Sequence, residues 1–332
     1  MSNWGALPQD VLRLIAGRLD EEDFVAFGSV CASWRSACAG TYDARTRAPW
    51  LISFLDSESR FWSMSWARVR RAPLPSMVGR LCYQGWMITA PEGRGLRLFN
   101  PISGTSVELP GSETFSRVHK FALSSSPSVS DDYVVMVHVQ PATFAFYRPR
   151  ERAWTALTYW PKSQIMDLMH YRGRFVALDE RCRVITFDPR GDDLQENRVA
   201  LPKFMGWTTP HLVECSGSLL VVWHMHDYFD SAPSVAFRVH KVDLDGGTWT
   251  EVKSLGSVSV FLSYECSFSV ELDAGPRLSK VWPNRIYFIE MLVRPADHKI
   301  QSYRMEDGKI ETHPELMPWC SGTTPRWIQP SF

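Results

Sequence analysis

From about Pro49 onward, one unit of strands and turns recurs at intervals of roughly fifty residues, and this recurrence limits the fold more than any other feature of the chain. The unit opens with a turn and an apolar strand: YQGWMITAP from Tyr83, HYRGRFVALDE from His170, ECSGSLLVVWH from Glu214 and WPNRIYFIE from Trp282. It closes with a polar turn and a second strand: FNPISGTSVELP from Phe99, FYRPRERAWTAL from Phe146, FDPRGDDLQENRVALP from Phe187, HKVDLDGGTWTEV from His240 and YRMEDGKIETHP from Tyr303. SMSWARVRRAPLP from Ser63 adds a further ending, so the endings number about six. Short β-branched and aromatic runs alternate with Gly, Pro, Asn and Asp, and no long amphipathic helix interrupts them. In SLLVVWHMH, Leu219, Val221 and Trp223 fall on one face and Leu220 and Val222 on the other. A strand apolar on both faces is one sandwiched between neighbouring sheets. Together these features predict an all-β propeller of about six blades.

Trp154 and Trp249, on the outgoing strands, are expected to fill the widening gaps between blades. The repeat lacks the Trp-Asp dipeptide and has its one Gly-Gly pair at Gly246-Gly247, so the blades are at best kelch-like. An open ring would leave bare strand edges, and PWLISF from Pro49 and PRWIQPSF from Pro325 are strands that can meet to close it.

The first forty or so residues follow another period. Val11, Ile15 and Leu19 recur every four residues with Leu12 beside them, while Gln9, Arg13 and Arg18 fall off that face. Pro8 suits a first helical turn. Asp20 is expected to cap a second helix, with Glu21, Glu22 and Asp23 at its positive end and Phe24 and Phe27 as its apolar face. A third helix is expected to carry Val30, Cys31, Trp34 and Cys38 before Gly40. Three such helices are below the size that usually holds itself together, so they need either the rest of the chain or a partner. The polar stretch GTYDARTRAP, Gly40 to Pro49, divides the chain into residues 1–45 and 46–332.

Leu7-Pro8, Val11-Leu12, Ile15, Arg18-Leu19, Asp23-Phe24 and VCASWR from Val30 to Arg35 together resemble the F-box motif, in register. The resemblance implies a seat for the Skp-type adaptor of a cullin-based ubiquitin ligase. It carries the adaptor-binding role onto Leu7, Pro8, Val11, Leu12, Ile15, Val30, Cys31 and Trp34, with Trp34 as the main anchor. Further on, FNPISG at Phe99, MDLMHYRGRFVALDERCRVITFD at Met166, EVKSLGSVSVFLSYECSFSV at Glu251, NRIYFIE at Asn284 and PRWIQPSF at Pro325 resemble a plant F-box family with a C-terminal kelch-like domain. That resemblance implies a propeller that captures a target protein for ubiquitination, with no cofactor and no chemistry of its own. In that family the segment after SLG is usually more charged than the apolar SVSVFL found here.

Composition removes several other classes. Of 332 residues, 45% are apolar and 22% charged, which suits a globular chain with a sizeable core. Lys plus Arg and Asp plus Glu are both 36, so net charge gives no case for binding nucleic acid or an anionic membrane. Seven cysteines, an odd number without any C-x-x-C pair, argue against a disulfide framework and a zinc site. With no secretory pattern and no glycosylation sequon, the cytoplasm or nucleus is the expected location. The longest apolar run, SLLVVW, is too short to span a bilayer.

Catalytic constellations are scarce. There is no G-x-S-x-G elbow, H-E-x-x-H pair or phosphate loop. EGRGLR, Glu92 to Arg97, reads as a turn, and Asp131-Asp132 and Asp192-Asp193 read as solvated loop charges. His224 and His226, two apart on a strand, point the same way and could reach toward His211 or His240. Lacking a carboxylate or Cys nearby they form an incomplete metal shell, and they are expected to be partly exposed and metal-free. The alternative to a substrate receptor is a propeller enzyme or glycan-binding lectin whose N-terminal helices pack on its own sheet.

Overall fold

The structure is a computed structural model. It describes residues 4, 7–19, 21–38, 41, 49–54, 58–64, 69–73, 78–90, 95–111, 118–139, 143–158, 163–189, 194–195, 199, 201–204, 207–227, 234–272, 281–290, 298–316 and 325–330.

Three short helices come first: α1 (Gln9–Ala16), α2 (Glu21–Ser29) and α3 (Ala32–Cys38). They share a core of Leu12, Ala16, Phe24, Phe27 and Ala37, against which Leu7, Leu19, Trp34 and Cys38 pack. Gln9 Nε2 donates to the carbonyl and hydroxyl oxygens of Ser33, at 3.1 and 2.8 Å, which ties α1 to α3. Arg35 Nε donates to the Gly28 carbonyl at 3.2 Å and ties α3 to α2. Pro8 stands at the N-cap of α1, one position earlier than the sequence suggests, while Val30 and Cys31 lie before α3 rather than on it. Asp20 and Gly40 lie outside the described residues.

The remaining described residues form six sheets arranged as the blades of a propeller. The first contains β1 (Trp50–Phe54), β2 (Glu58–Ser63) and β3 (Val69–Pro73). The second runs β4 (Val78–Tyr83), β5 (Trp86–Ala90), β6 (Arg97–Phe99), β7 (Ser106–Glu108). The third runs β8 (Val118–Leu123), β9 (Val135–Val139), β10 (Thr143–Tyr147), β11 (Trp154–Thr158). The fourth is β12 (Ile165–Tyr171), β13 (Arg174–Asp179), β14 (Val184–Phe187), β15 (Leu194–Gln195). The fifth is β16 (Trp207–Cys215), β17 (Ser218–Asp227), β18 (Ser234–Asp243), β19 (Thr248–Glu251). The sixth holds β20 (Val258–Phe261), β21 (Phe268–Glu271), β22 (Arg285–Glu290), β23 (Lys299–Arg304) and β24 (Ile310–Thr312). Strand β25 (Arg326–Ile328) returns to the first sheet and pairs with β1, closing the ring where the sequence places the closure.

The repeat is legible in the turns. The hairpins β4–β5, β12–β13 and β16–β17 turn through Gln84-Gly85, Arg172-Gly173 and Ser216-Gly217, each pair with positive φ at both positions. That backbone matches the twist of the flanking strands, and glycine adopts its second position at no steric cost. The outer hairpins use Asn100 and Asp243, whose Oδ1 atoms accept two backbone N–H bonds each. Both faces of β17 are buried from Leu219 to His224.

The aromatic wedges behave unequally. Trp154 Nε1 donates to the Pro110 carbonyl of the preceding blade at 3.0 Å, bridging the gap as expected. Trp249 instead stays partly exposed and stands edge-on to His240 of its own blade, because the short β19 carries it to the outer margin of the sheet.

The sixth blade departs from the repeat. It has five strands in the order β21-β20-β22-β23-β24, with β20 and β22 parallel. The apolar SVSVFL is strand β20, inserted between the inner strand and the next one, and all four of its residues are buried. A strand held in a parallel pair with both faces covered needs that composition.

Candidate functional site

Two places concentrate features beyond the fold. On the helices, Val11, Leu14, Ile15 and Val30 are exposed, Leu14 to 66% and Val30 to 59%. Trp4 is exposed as well. Their phase explains the pattern: positions 11, 14 and 15 share one stripe of α1, while Leu12 and Ala16 point into the helical core. Leu12 is therefore wholly enclosed and supports the exposed stripe from beneath. Leu7 and Cys31 are half-buried and Pro8 is exposed. Trp34 is half-buried too, its ring 4.3 Å from that of Phe27 and its Nε1 donating to the Trp4 carbonyl at 3.3 Å. Leu14 and Trp4 were not singled out in the sequence, although the i, i+3 spacing from Val11 marks Leu14.

The second place is the ring axis. Because β20 enters the sixth blade beside the inner strand, the β20–β21 connection Leu262 to Ser267 becomes a hairpin tip at the axis. Three other blades hold it there. Lys120 of β8 donates Nζ to the Tyr264 carbonyl and lies 4.8 Å from that ring. Arg326 of β25 pairs with Glu265, whose carboxylate also accepts from Ser263 Oγ. Ser267 Oγ lies 3.1 Å from His211 Nδ1 on β16.

Lys120 also lies 3.3 Å from Asp167 Oδ1 on β12, and both side chains are buried. Burial pushes the Asp167 carboxyl up, while Lys120 and the N–H groups of Leu212 and Leu168 pull it down. Glu265 is likewise pushed up by burial and pulled down mainly by Arg326. Cys266 beside it is pushed up to about 12 by burial, so its thiol stays protonated and is a poor nucleophile.

The histidines differ in part from expectation. His224 is buried rather than partly exposed, as are His211 and His240, whereas His226 is partly exposed as expected. His224 and His226 do share a face, with ring centroids 3.9 Å apart, and His211 lies 6.4 Å from His224. Burial holds His211 down to about 3 and lowers His224 and His226, so these rings are neutral near pH 7. Among the described residues no group of three His, Cys, Asp or Glu side chains is disposed to hold a metal ion. Asp131 and Asp132 are exposed on a loop, as expected. Gly95 serves packing, since a Cβ there would lie 3.0 Å from Gly111 Cα; Glu92 to Arg94 and Asp192-Asp193 lie outside the described residues.

A small helical module with an exposed apolar stripe, followed by a closed six-bladed ring, defines a two-part protein. Residues 4–42 match the F-box-like family model, and residues 56–309 match that of the KIB1-4 β-propeller. The chain belongs to the KIB1-4 β-propeller family. It is 26% identical to an F-box/kelch-repeat protein of Arabidopsis thaliana, over 98% of this chain and 94% of the relative. It is 25% identical to the F-box protein SKIP23 of the same plant, over 99% of this chain and 96% of the relative. An F-box-like module paired with a propeller of this family is the organisation of an F-box substrate adaptor. No helix of the described residues is long and apolar enough to cross a membrane.

Proposed function

We propose that this protein is the substrate-recognition subunit of a Skp–cullin–F-box ubiquitin ligase, working in the cytoplasm or nucleus. The helices dock a Skp-type adaptor, which joins them to a cullin, and the propeller captures the target protein. The observation that carries this reading is the exposed stripe Val11, Leu14 and Ile15 on α1, together with the exposed Val30 after α2, on a module of three short helices. Exposed apolar side chains grouped on so small a unit mark an interaction surface. Leu7, Pro8, Cys31 and Trp34 border the stripe in the sequence motif, and Leu12 belongs to the seat by supporting it.

Among the described residues, the helical core draws only on residues between Leu7 and Cys38, and the propeller cores only on residues from Trp50 onward. This supports a division near residue 45 and speaks against helices that serve the sheets. Residues 46–332 alone should then fold, retain the target and fail to recruit the adaptor. Overproduced in cells, that fragment should lengthen the half-life of proteins it co-purifies with, whereas the full chain shortens it. A fragment that unfolds would return the helices to the propeller's own core and revive the enzyme or lectin reading.

A further inference from the structure

A cavity of about 120 Å³ lies on the ring axis, lined among others by Tyr83, Met169, Glu214, Cys266, Phe268 and Gln329. An apolar cavity of about 150 Å³ holds one benzene, and pockets for drug-sized ligands run to about 300 Å³ and more. This cavity therefore has room for a group the size of one side chain rather than for a nucleotide or a large cofactor.

The charges around it are unbalanced. Lys120 faces Asp167, and Arg326 faces Glu265. Glu214 on β16 has no such counter-ion: its main-chain carbonyl accepts from Ser269 Oγ at 2.6 Å, but its carboxylate makes no hydrogen bond or ion pair with a described residue. Gln329, just beyond β25, is only 9% exposed, and its side-chain amide has no hydrogen-bond partner among the described residues. A half-buried carboxylate and a primary amide in one cavity offer two acceptors to a ligand rich in N–H donors. The rings of Tyr83 and Phe268 and the thioether of Met169, which also line the cavity, suit methylenes next to a cation.

We propose that the axial cavity is a binding site for a protonated amine or a guanidinium on a short alkyl chain, with Glu214 as counter-ion and the Gln329 carbonyl as second acceptor. Cys266 and Ser267 also line it, together with the exposed Gln84. The chemistry of the site stands apart from the receptor role. That the cation belongs to a lysine or arginine side chain of the captured protein rests on that role.

The test uses the full chain with ¹³C-methyl-labelled methionines and follows the Met169 methyl resonance by NMR. Titrants are n-butylammonium chloride and the capped tripeptide Gly-Lys-Gly, with sodium chloride at equal ionic strength and n-butanol as controls. A saturable shift with both titrants, absent with both controls and weakened at least tenfold in Glu214→Gln but less in Glu214→Asp, is expected. Response to the free amine alone would uphold the site and overturn the side-chain source. No response to either, or an undiminished one in Glu214→Gln, would overturn the site itself. Adaptor binding measured on the same variants should not change, which separates this outcome from any failure of the ligase reading.

Discussion

Leu51 of β1 lies directly opposite Trp327 of β25, and both side chains are almost fully buried. The last described strand is thus part of the first blade, and the ring has no free edge there. Deleting residues 323–332 should expose the inner edge of β1, remove Trp327 from the core and break the Arg326–Glu265 pair. Insoluble protein is the expected result. Trp327→Ala alone should cost about 3–5 kcal/mol in urea denaturation. A truncated chain that stays soluble and melts cooperatively would show that closure lies elsewhere.

The Lys120–Asp167 pair should behave as a buried pair. Lys120→Met leaves a carboxylate enclosed without its cation and should destabilise by about 3–5 kcal/mol. Asp167 also accepts from the N–H groups of Leu168 and Leu212, at 2.9 and 2.7 Å. Adding Asp167→Asn therefore removes the stranded charge while keeping an acceptor, and the double variant should recover at least about 1 kcal/mol. Simple additivity of the two losses in a double-mutant cycle would deny the coupling.

Acid should destabilise the third blade through His138. Its ring is buried with both nitrogens unsatisfied, and burial, with His119 and Lys120 beside it, pushes it down to about 4. An unfolded histidine titrates near 6.5. Between about pH 6.5 and 4 the unfolded chain binds a proton that the fold refuses, so stability falls as pH falls, by up to roughly 3 kcal/mol. His138→Phe should be more stable than the parent, by a margin that widens from pH 7 to 4.5. A pH-independent margin would contradict the assignment.

Much of this was legible in the sequence because local rules and the fold agree. Gln84-Gly85 and Ser216-Gly217 announce hairpins by turn chemistry alone, and Leu219 to Trp223 announce a sandwiched strand by composition. The insertion of β20 was not legible, since an apolar run names neither its partner nor its direction. On α1 the period is right, but the buried line runs through Leu12 and Ala16, so Val11 and Ile15 face outward; neighbouring positions differ by a rotation that tertiary packing settles. The axial cluster was hidden for another reason. Lys120, Asp167, Glu265 and Arg326 look like scattered surface charges along the chain, and only closure of the ring brings them together.

The ligase reading stands on the helical stripe, and Trp34 is a poor place to probe it because its ring also packs on Phe27. Val11, Leu14 and Val30 are exposed, so charges there disturb binding with little effect on the helical core. The decisive measurement is the affinity of the full chain for a purified Skp-type adaptor, by calorimetry, for the parent and for Val11→Asp, Leu14→Asp and Val30→Asp. The parent should bind, and each variant should lose about 2 kcal/mol or more, roughly thirtyfold, with thermal unfolding of the propeller unchanged. A parent that does not bind the adaptor, or variants that bind as the parent does, would contradict the account.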